Sequence, residues 1–306
     1  MKYKLIYSLA LITLLSIGSL SAQEKTNIQT ERTKFGGITG NTDNLIILEK
    51  ATSGLYYQHS YMIKREGILQ KKTDTLFLAL GFTQSVFYDP LYKQELENQR
   101  LARISRSKKA RLINPEHENL TDIVDLININ SDYAEDDPGD PLQIYKNRTT
   151  GVVSSIYNSY VDNIRCNQNI DQMHQWQMIE ETDTILGYVC QKACLTYAGR
   201  DYTAWFTTEI PINDGPWKFW GLPGLILKVV DKEEQFEWVA IGLENIDGDI
   251  VMNKGDYEKA NPTQFRDFIN RATSSIMVSF YNNGVLYMTN KERPYTKTPI
   301  ELFEKE

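Results

Sequence analysis

The stretch "TILGYVCQKACLTYAGRDYTAWFTTEIPI", residues 184–212, decides the fold class. As a strand, 184–197 places Ile185, Val189, Ala193 and Leu195 on one face and Leu186, Tyr188, Cys190 and Cys194 on the other. Tyrosine and threonine also favour strands. The segment "AGRD" at 198–201 suits a turn, and "YTAWFTTEIPI" returns as a second strand. The stretch therefore predicts an antiparallel hairpin.

Similar patterns occur on both sides of this hairpin, and one helix is predicted near the C-terminal end. The further runs typical of strands include 54–64, 75–89, 225–231 and 236–246. The helix is predicted at 261–273, where Asn261 suits the N-cap and Pro262 the first helical position. No alternation of strand and helix is present. The order predicts a mostly β (α+β) fold, a curved antiparallel sheet or half-barrel with one or two covering helices.

The first residues have the pattern of a secretory signal peptide. Lys2 and Lys4 precede an uncharged apolar run that is shorter than the ~20 residues needed to span a bilayer, and Ala22 offers a small residue for cleavage. We expect residues 1–22 to be a signal peptide and 23–306 to be a single β-rich domain without a transmembrane segment. The expected location is the periplasm, with secretion or outer-membrane association as alternatives.

Charge and motifs exclude several classes of function. The net charge is −7 and the sequence pI is about 5.2, which argues against nucleic acid as a partner despite the basic stretch 100–111. The acidic loop 131–140 lacks the residue order of a calcium loop, so no metal or cofactor is expected. No nucleophile elbow, zinc-protease motif or phosphate-binding loop occurs. The isolated histidines are His59, His117 and His174. We expect no enzyme.

A second distinctive stretch is "GPWKFWGLPGLILKV", residues 215–229. Pro223 and Gly224 suit the central positions of a type II turn, in which glycine takes the positive φ. Gly221 has no side chain and would let the backbone pass close to a neighbour. The sequence predicts that this corner bends the aromatic segment 217–220 back towards the following strand.

The aromatic segment has two interpretations. Trp217 and Phe219 are expected on one side of it, with Lys218 and Trp220 on the other. Lys218 could make a cation–π contact with a ring, or it could attract an anionic group of a ligand. The segment is therefore either a well-packed corner of the fold or one wall of a ligand site.

The hexapeptide Gly221–Ile226, "GLPGLI", is the motif after which the GLPGLI family of exported bacterial proteins is named, and the block 184–230 resembles that family almost throughout. The resemblance implies an exported protein. It implies little about function, because no activity is established for the family. Its layout is similar to the half-barrel proteins that carry lipoproteins and lipids across the periplasm, which is an analogy of fold.

Three cysteines in an exported chain leave at least one thiol unpaired. Cys190 and Cys194 on one strand would lie about 13 Å apart, too far to bond to each other. Cys166 could pair with either. The resemblance selects Cys190, which belongs to the family-like motif, so a Cys166–Cys190 disulfide is predicted.

Two hypotheses for function follow. The first is a non-enzymatic periplasmic binding or carrier protein whose apolar concavity takes a hydrophobic small molecule. The residues predicted to line that site are Trp217, Lys218, Phe219, Trp220, Leu222 and Leu225. The second is an accessory protein that engages an envelope protein partner through a sheet edge or an aromatic patch.

Overall fold

The computed structural model describes residues 33–37, 44–94, 139–158, 163–169, 175–282, 285–292, 295–297 and 299–301. The predicted signal peptide 1–22 lies outside these residues, as do the basic stretch 100–111 and the acidic loop up to residue 138. The described residues from Thr33 onward belong to one compact unit.

These residues form mainly strands. The strands are β1 Thr33–Gly36, β2 Leu45–Arg65, β3 Ile68–Leu80, β4 Gln84–Tyr88, β5 Leu142–Asn147, β6 Val152–Asn158, β7 Asn163–Asn169, β8 Gln177–Ile185, β9 Tyr188–Tyr197, β10 Arg200–Thr207, β11 Leu225–Asp231, β12 Phe236–Asn253, β13 Glu258–Ala260, β14 Ser275–Asn282, β15 Val285–Glu292 and β16 Tyr295–Lys297. The helix α1 spans Pro262–Ser274, and residues 90–94 are also helical.

One large curved sheet contains fourteen of these strands, in the order β13-β7-β6-β5-β4-β3-β2-β12-β11-β10-β9-β8, with β1 beside β12 and β16 beside β2. Neighbours run antiparallel except the pairs β1–β12 and β13–β7. The long central strands β2 and β12 pair over most of their length, with register shifts that are typical of bulges. Bulges bend a strand and increase its twist, which explains the curvature. The prediction of a mostly β fold with a curved sheet and covering helices is confirmed.

Two predicted strands are wrong in extent. The run 184–197 is not one strand, because Ile185 pairs with Tyr188 across a two-residue turn. The turn residues Leu186 and Gly187 have φ values of 53° and 85°, and two positive φ values in succession are the requirement of a type I′ hairpin turn. Likewise, the run 75–89 is divided into β3 and β4 by a turn at 81–83. The runs predicted as strands at 225–231 and 236–246 lie in β11 and β12, which pair as an antiparallel hairpin.

The helix α1 covers one end of the sheet, and its predicted start is confirmed. The Asn261 side chain accepts a hydrogen bond from the Gln264 amide at 2.9 Å, and the Gln264 side chain accepts one from the Asn261 amide at 3.0 Å. This reciprocal pair has the geometry of a capping box. Phe265 and Phe268 pack against Tyr157 and neighbouring apolar side chains of β6 and β7. The helix therefore lies over the sheet beside the site described next.

Candidate functional site

The loop between β10 and β11 does not have the predicted turn. Its tight turn lies earlier, at Pro216–Phe219, where the Phe219 amide donates to the Pro216 carbonyl at 3.0 Å and Trp217 has a φ of 48°. Gly221 takes the positive φ, 97°, and Gly224 does not. The prediction of a type II turn with Pro223 and Gly224 at its centre is therefore wrong, because the chain reverses before Pro223 rather than after it.

Gly224 is instead the position of close approach. A Cβ atom there would lie 2.1 Å from the carbonyl oxygen and 2.7 Å from the carbonyl carbon of Thr207. The roles predicted for two glycines are thus exchanged: Gly221 provides the backbone conformation, and Gly224 provides the space for the end of β10.

Gly224→Ala is expected to lower the free energy of unfolding by about 1–3 kcal/mol, because the new methyl group must displace backbone rather than a flexible side chain. Chemical denaturation measures the change. Gly255→Ala is the matched control, since a Cβ at Gly255 meets nothing within 4 Å. Equal stability of the two variants would contradict the close approach.

A buried ion pair fixes this loop to the sheet. Lys146 of β5 donates to Asp214 at 2.7 Å and to the carbonyl of Gly215, and both charged side chains are 0% exposed. Arg148 donates to the second oxygen of Asp214 at 2.6 Å. Burial alone would raise the pKa of Asp214, but Lys146 and Arg148 together hold it below its ordinary value. Burial lowers the pKa of Lys146, and Asp214 opposes that shift. The contacts of Lys146 and Arg148 with Asp214 hold the loop against β5 and so determine where the aromatic segment lies.

The predicted ligand-lining residues separate into two groups. Phe219, Trp220, Leu222 and Leu225 are at most 3% exposed and belong to the main hydrophobic core. Trp217 also packs in that core, but one part of it lines a cavity.

Lys218 is buried, and the carboxylate of Glu301 balances its charge. It forms an ion pair with Glu301 and donates to Gln168 at 3.1 Å, and its ammonium lies 5.2 Å from the centre of the Trp217 ring. Burial alone would lower the pKa of Lys218, but Glu301 raises it above its ordinary value. Of the two alternatives for Lys218, the cation–π contact is present, and the charge also has an anionic partner within the chain.

The cavity that Trp217 lines has a volume of about 110 Å³. It lies between the sheet, α1 and the C-terminal segment 297–300, and apolar side chains such as Leu76 and Ile144 form part of its wall. The described residues thus place a concavity next to the aromatic segment, on the face of the sheet that the helix covers.

Five rings form an ordered array in one wall of this cavity. Tyr61 and His59 of β2 pair directly with Phe236 and Trp238 of β12. His59 stacks on Trp238 with 4.5 Å between ring centres and 7° between planes, and Trp217 continues the stack at 6.0 Å and 10°. Because side chains two residues apart share a face of a strand, this array follows from the register of β2 against β12.

His59 is neutral, and its hydrogen bond shows which ring nitrogen carries the proton. Its Nδ1 lies 3.2 Å from the Glu237 carbonyl, which can only accept, so Nδ1 carries the proton. Burial lowers the pKa of His59 to about 3. The remaining nitrogen, Nε2, is therefore an acceptor at neutral pH.

Charged groups lie around the rings. Asp74 accepts from the Tyr61 hydroxyl at 2.7 Å, and Asp89 accepts from the Asp140 amide at 2.9 Å. Asp74, Asp89 and Asp140 all line the cavity. Burial raises the pKa of Asp89 to about 6. The Lys297 ammonium lies 5.3 Å from the centre of the Tyr61 ring.

Hydrogen bonds and an ion pair hold Pro299, Ile300 and Glu301 against the sheet. Arg200 donates to the carbonyls of Pro299 at 2.8 Å and Ile300 at 3.1 Å, while Glu301 pairs with Lys218. Pro299 and Ile300 line the cavity. The last described residues of the chain therefore complete the wall.

The predicted Cys166–Cys190 disulfide is not formed, because all three cysteines are free thiols. Cys166 on β7 packs under α1, whereas Cys190 on β9 belongs to the main core. Eight strands stand between β7 and β9 in the sheet order, which is the physical reason that the two do not meet.

Within the described ranges, no group of three or more His, Cys, Asp or Glu side chains could hold a metal ion. None of the helices in these ranges has the length and apolar character to cross a bilayer.

The ring array was not predicted from the sequence, in which His59 is an isolated histidine. A signal was present: "HSY" at 59–61 and "FEW" at 236–238 each place two rings on one face of a strand. What the sequence did not contain was the pairing of these two strands, which lie far apart in the chain.

Comparison with known proteins gives one short family match. The model of a family described as "Protein of unknown function (Porph_ging)" matches residues 199–228, inside the block 184–230 that resembles the GLPGLI family. The match fits a family of exported bacterial proteins. A comparison with curated proteins gives no match.

Among solved structures, PNGF-II in space group P21 aligns with a TM-score of 0.47 and 15% identity, and PNGF-II in C2 with 0.44 and 14%. Both alignments cover 76% of this chain and 35% of PNGF-II, so this chain spans about a third of that protein. A DUF1329 family protein from Desulfovibrio piger aligns with a TM-score of 0.22 and 8% identity, covering 66% of this chain and 82% of that one.

Proposed function

We propose that this chain is an exported, non-enzymatic binding protein that holds a small ring-sized group of its ligand in the aromatic cavity. The observation that carries the proposal is the cavity itself, about 110 Å³ with a wall of five rings. Engineered apolar cavities of about 150 Å³ bind benzene, whereas pockets for drug-sized molecules measure about 300–1,000 Å³. The space therefore fits one small ring better than a lipid chain.

We expect benzyl alcohol to bind in this cavity and to shift the indole NMR signals of Trp217 and Trp238. Leu142→Trp, which places a large ring in the cavity wall, is expected to abolish these shifts. Ile241→Trp is the control, since Ile241 is 48% exposed on β12 and is not among the residues of the cavity wall. Absence of binding by the folded wild-type protein would contradict the proposal.

A second candidate function is an accessory protein that engages an envelope partner. It is favoured by Phe82, which is 90% exposed at the turn between β3 and β4. That turn is held by Glu49, which accepts from the amides of Thr83 and Gln84 at 2.9 and 2.7 Å. A rigid turn that presents a ring suits an anchor for another protein. Failure of ring probes to bind would favour this candidate.

A further inference from the structure

The cavity is surrounded by more negative than positive charge. Its charged lining residues are three carboxylates, Asp74, Asp89 and Asp140, and one ammonium, Lys297. His59 adds no positive charge and presents an acceptor nitrogen. The neighbouring Lys218 is already paired with Glu301. Arg200, beside the Phe236 ring at 4.9 Å, is likewise paired, with Asp231. An anionic ligand would therefore meet three carboxylates and one ammonium among the lining side chains.

The rings have the complementary property. The face of an aromatic ring carries negative charge density and attracts a cation within about 6 Å of its centre. Tyr61 already has such a contact, because the Lys297 ammonium lies 5.3 Å from its ring centre. The hydroxyl of the same ring donates to Asp74 at 2.7 Å, so the ring beside this ammonium is bound to a carboxylate. The chain thus places a cation of its own beside a ring that is joined to an acidic group.

From these observations we propose that the cavity selects a small organic cation, a compact amine with a ring-sized apolar body, whose charge takes the position now held by the Lys297 ammonium. This inference rests on the proposed function and names the ligand class of the same site. Lys297 is then an internal competitor: its ammonium occupies the cation position until a ligand amine replaces it. The apolar body lies against the stack of Trp238 and Trp217.

The test compares three probes of one shape: benzylamine, benzyl alcohol and benzoate, titrated by calorimetry at neutral pH. We expect benzylamine to bind about tenfold more tightly than benzoate, with benzyl alcohol between them. Benzyl alcohol carries no charge, so its binding reports the proposed function alone. If benzyl alcohol binds and benzoate binds as tightly as benzylamine, the cation inference is overturned and the binding function stands.

Two variants are expected to act in opposite directions. Lys297→Met removes the competing ammonium, so benzylamine should bind several-fold more tightly. Asp74→Asn keeps an acceptor for Tyr61 but removes a negative charge, so benzylamine should bind about fivefold more weakly, a larger loss than that of benzyl alcohol. Lys254→Met and Asp183→Asn, at exposed positions outside the cavity wall, are the charge controls. Weaker binding of benzylamine to Lys297→Met than to the wild-type protein would overturn the inference.

Discussion

Lys146→Met is expected to lower the free energy of unfolding by about 3–5 kcal/mol, because it leaves the buried carboxylate of Asp214 without its fully buried counter-ion. Lys146 is 0% exposed and also donates to the carbonyl of Gly215, so the variant loses the bond that positions the aromatic loop. Arg148 remains and compensates only part of the charge. Denaturant unfolding followed by tryptophan fluorescence measures the loss.

Two further variants separate the buried pair from a general effect of lysine replacement. Lys50→Met removes an exposed pair, with side chains 57% and 73% exposed in Lys50 and Asp247, and is expected to change stability by less than about 1 kcal/mol. The double variant Lys146→Met with Asp214→Asn is expected to be more stable than the sum of the two single losses predicts, since both fully buried charges are removed together. Wild-type stability of Lys146→Met would refute the role of the pair.

The second large expected effect is a loss of folding stability at acidic pH that depends on His59. Burial lowers the pKa of His59 to about 3, below the value of about 6.5 in the unfolded chain. The unfolded state therefore binds more protons than the native state between these values, and stability falls as the pH falls. His59→Phe keeps a ring in the stack without this titration. Between about pH 7 and pH 4, the wild-type protein is expected to lose about 3 kcal/mol more than His59→Phe.

Asp89 has the opposite effect on the pH dependence of stability, because burial raises its pKa to about 6. As the pH falls, its carboxyl takes up a proton at a higher pH in the native state than in the unfolded state, which favours the native state. This contribution is common to both proteins and cancels in the difference between their pH curves. Gln58→Leu, at an exposed neighbouring position of β2, should follow the wild-type curve. Parallel curves for the wild-type protein and His59→Phe would show that His59 is not held neutral by the fold.

The fold class was predictable because it depends on local patterns. Alternation along residues such as Ala204 and Phe206 marks strands whatever their partners are, and Asn261 with Pro262 marks the start of a helix from adjacent residues alone. Errors occurred where a turn had an uncommon sequence. Leu186 adopts a positive φ that leucine rarely takes, so the hairpin turn beside Gly187 resembled a continuous strand.

The site was predictable only in part because it depends on contacts between distant residues. The motif around Trp217 identified a loop that borders the cavity, and the ring contact of Lys218 was one of its two predicted alternatives. The partners of this loop come from elsewhere: Lys146 holds it, Glu301 neutralises Lys218, and Trp238 stacks on Trp217. Nothing in the local sequence of these residues signals that they meet, since each contact requires the register of the whole sheet.

The pairing of β2 with β12 also has a consequence for how the protein folds. His59 and Glu237 are neighbours in this ladder although they are 178 residues apart in sequence. Closing so long a loop costs entropy before any contact is gained, and proteins dominated by such pairings fold slowly. The central ladder forms only when most of the chain is present. During that interval β2 has an unpaired edge, so we expect refolding to be slow and yields to fall as protein concentration rises.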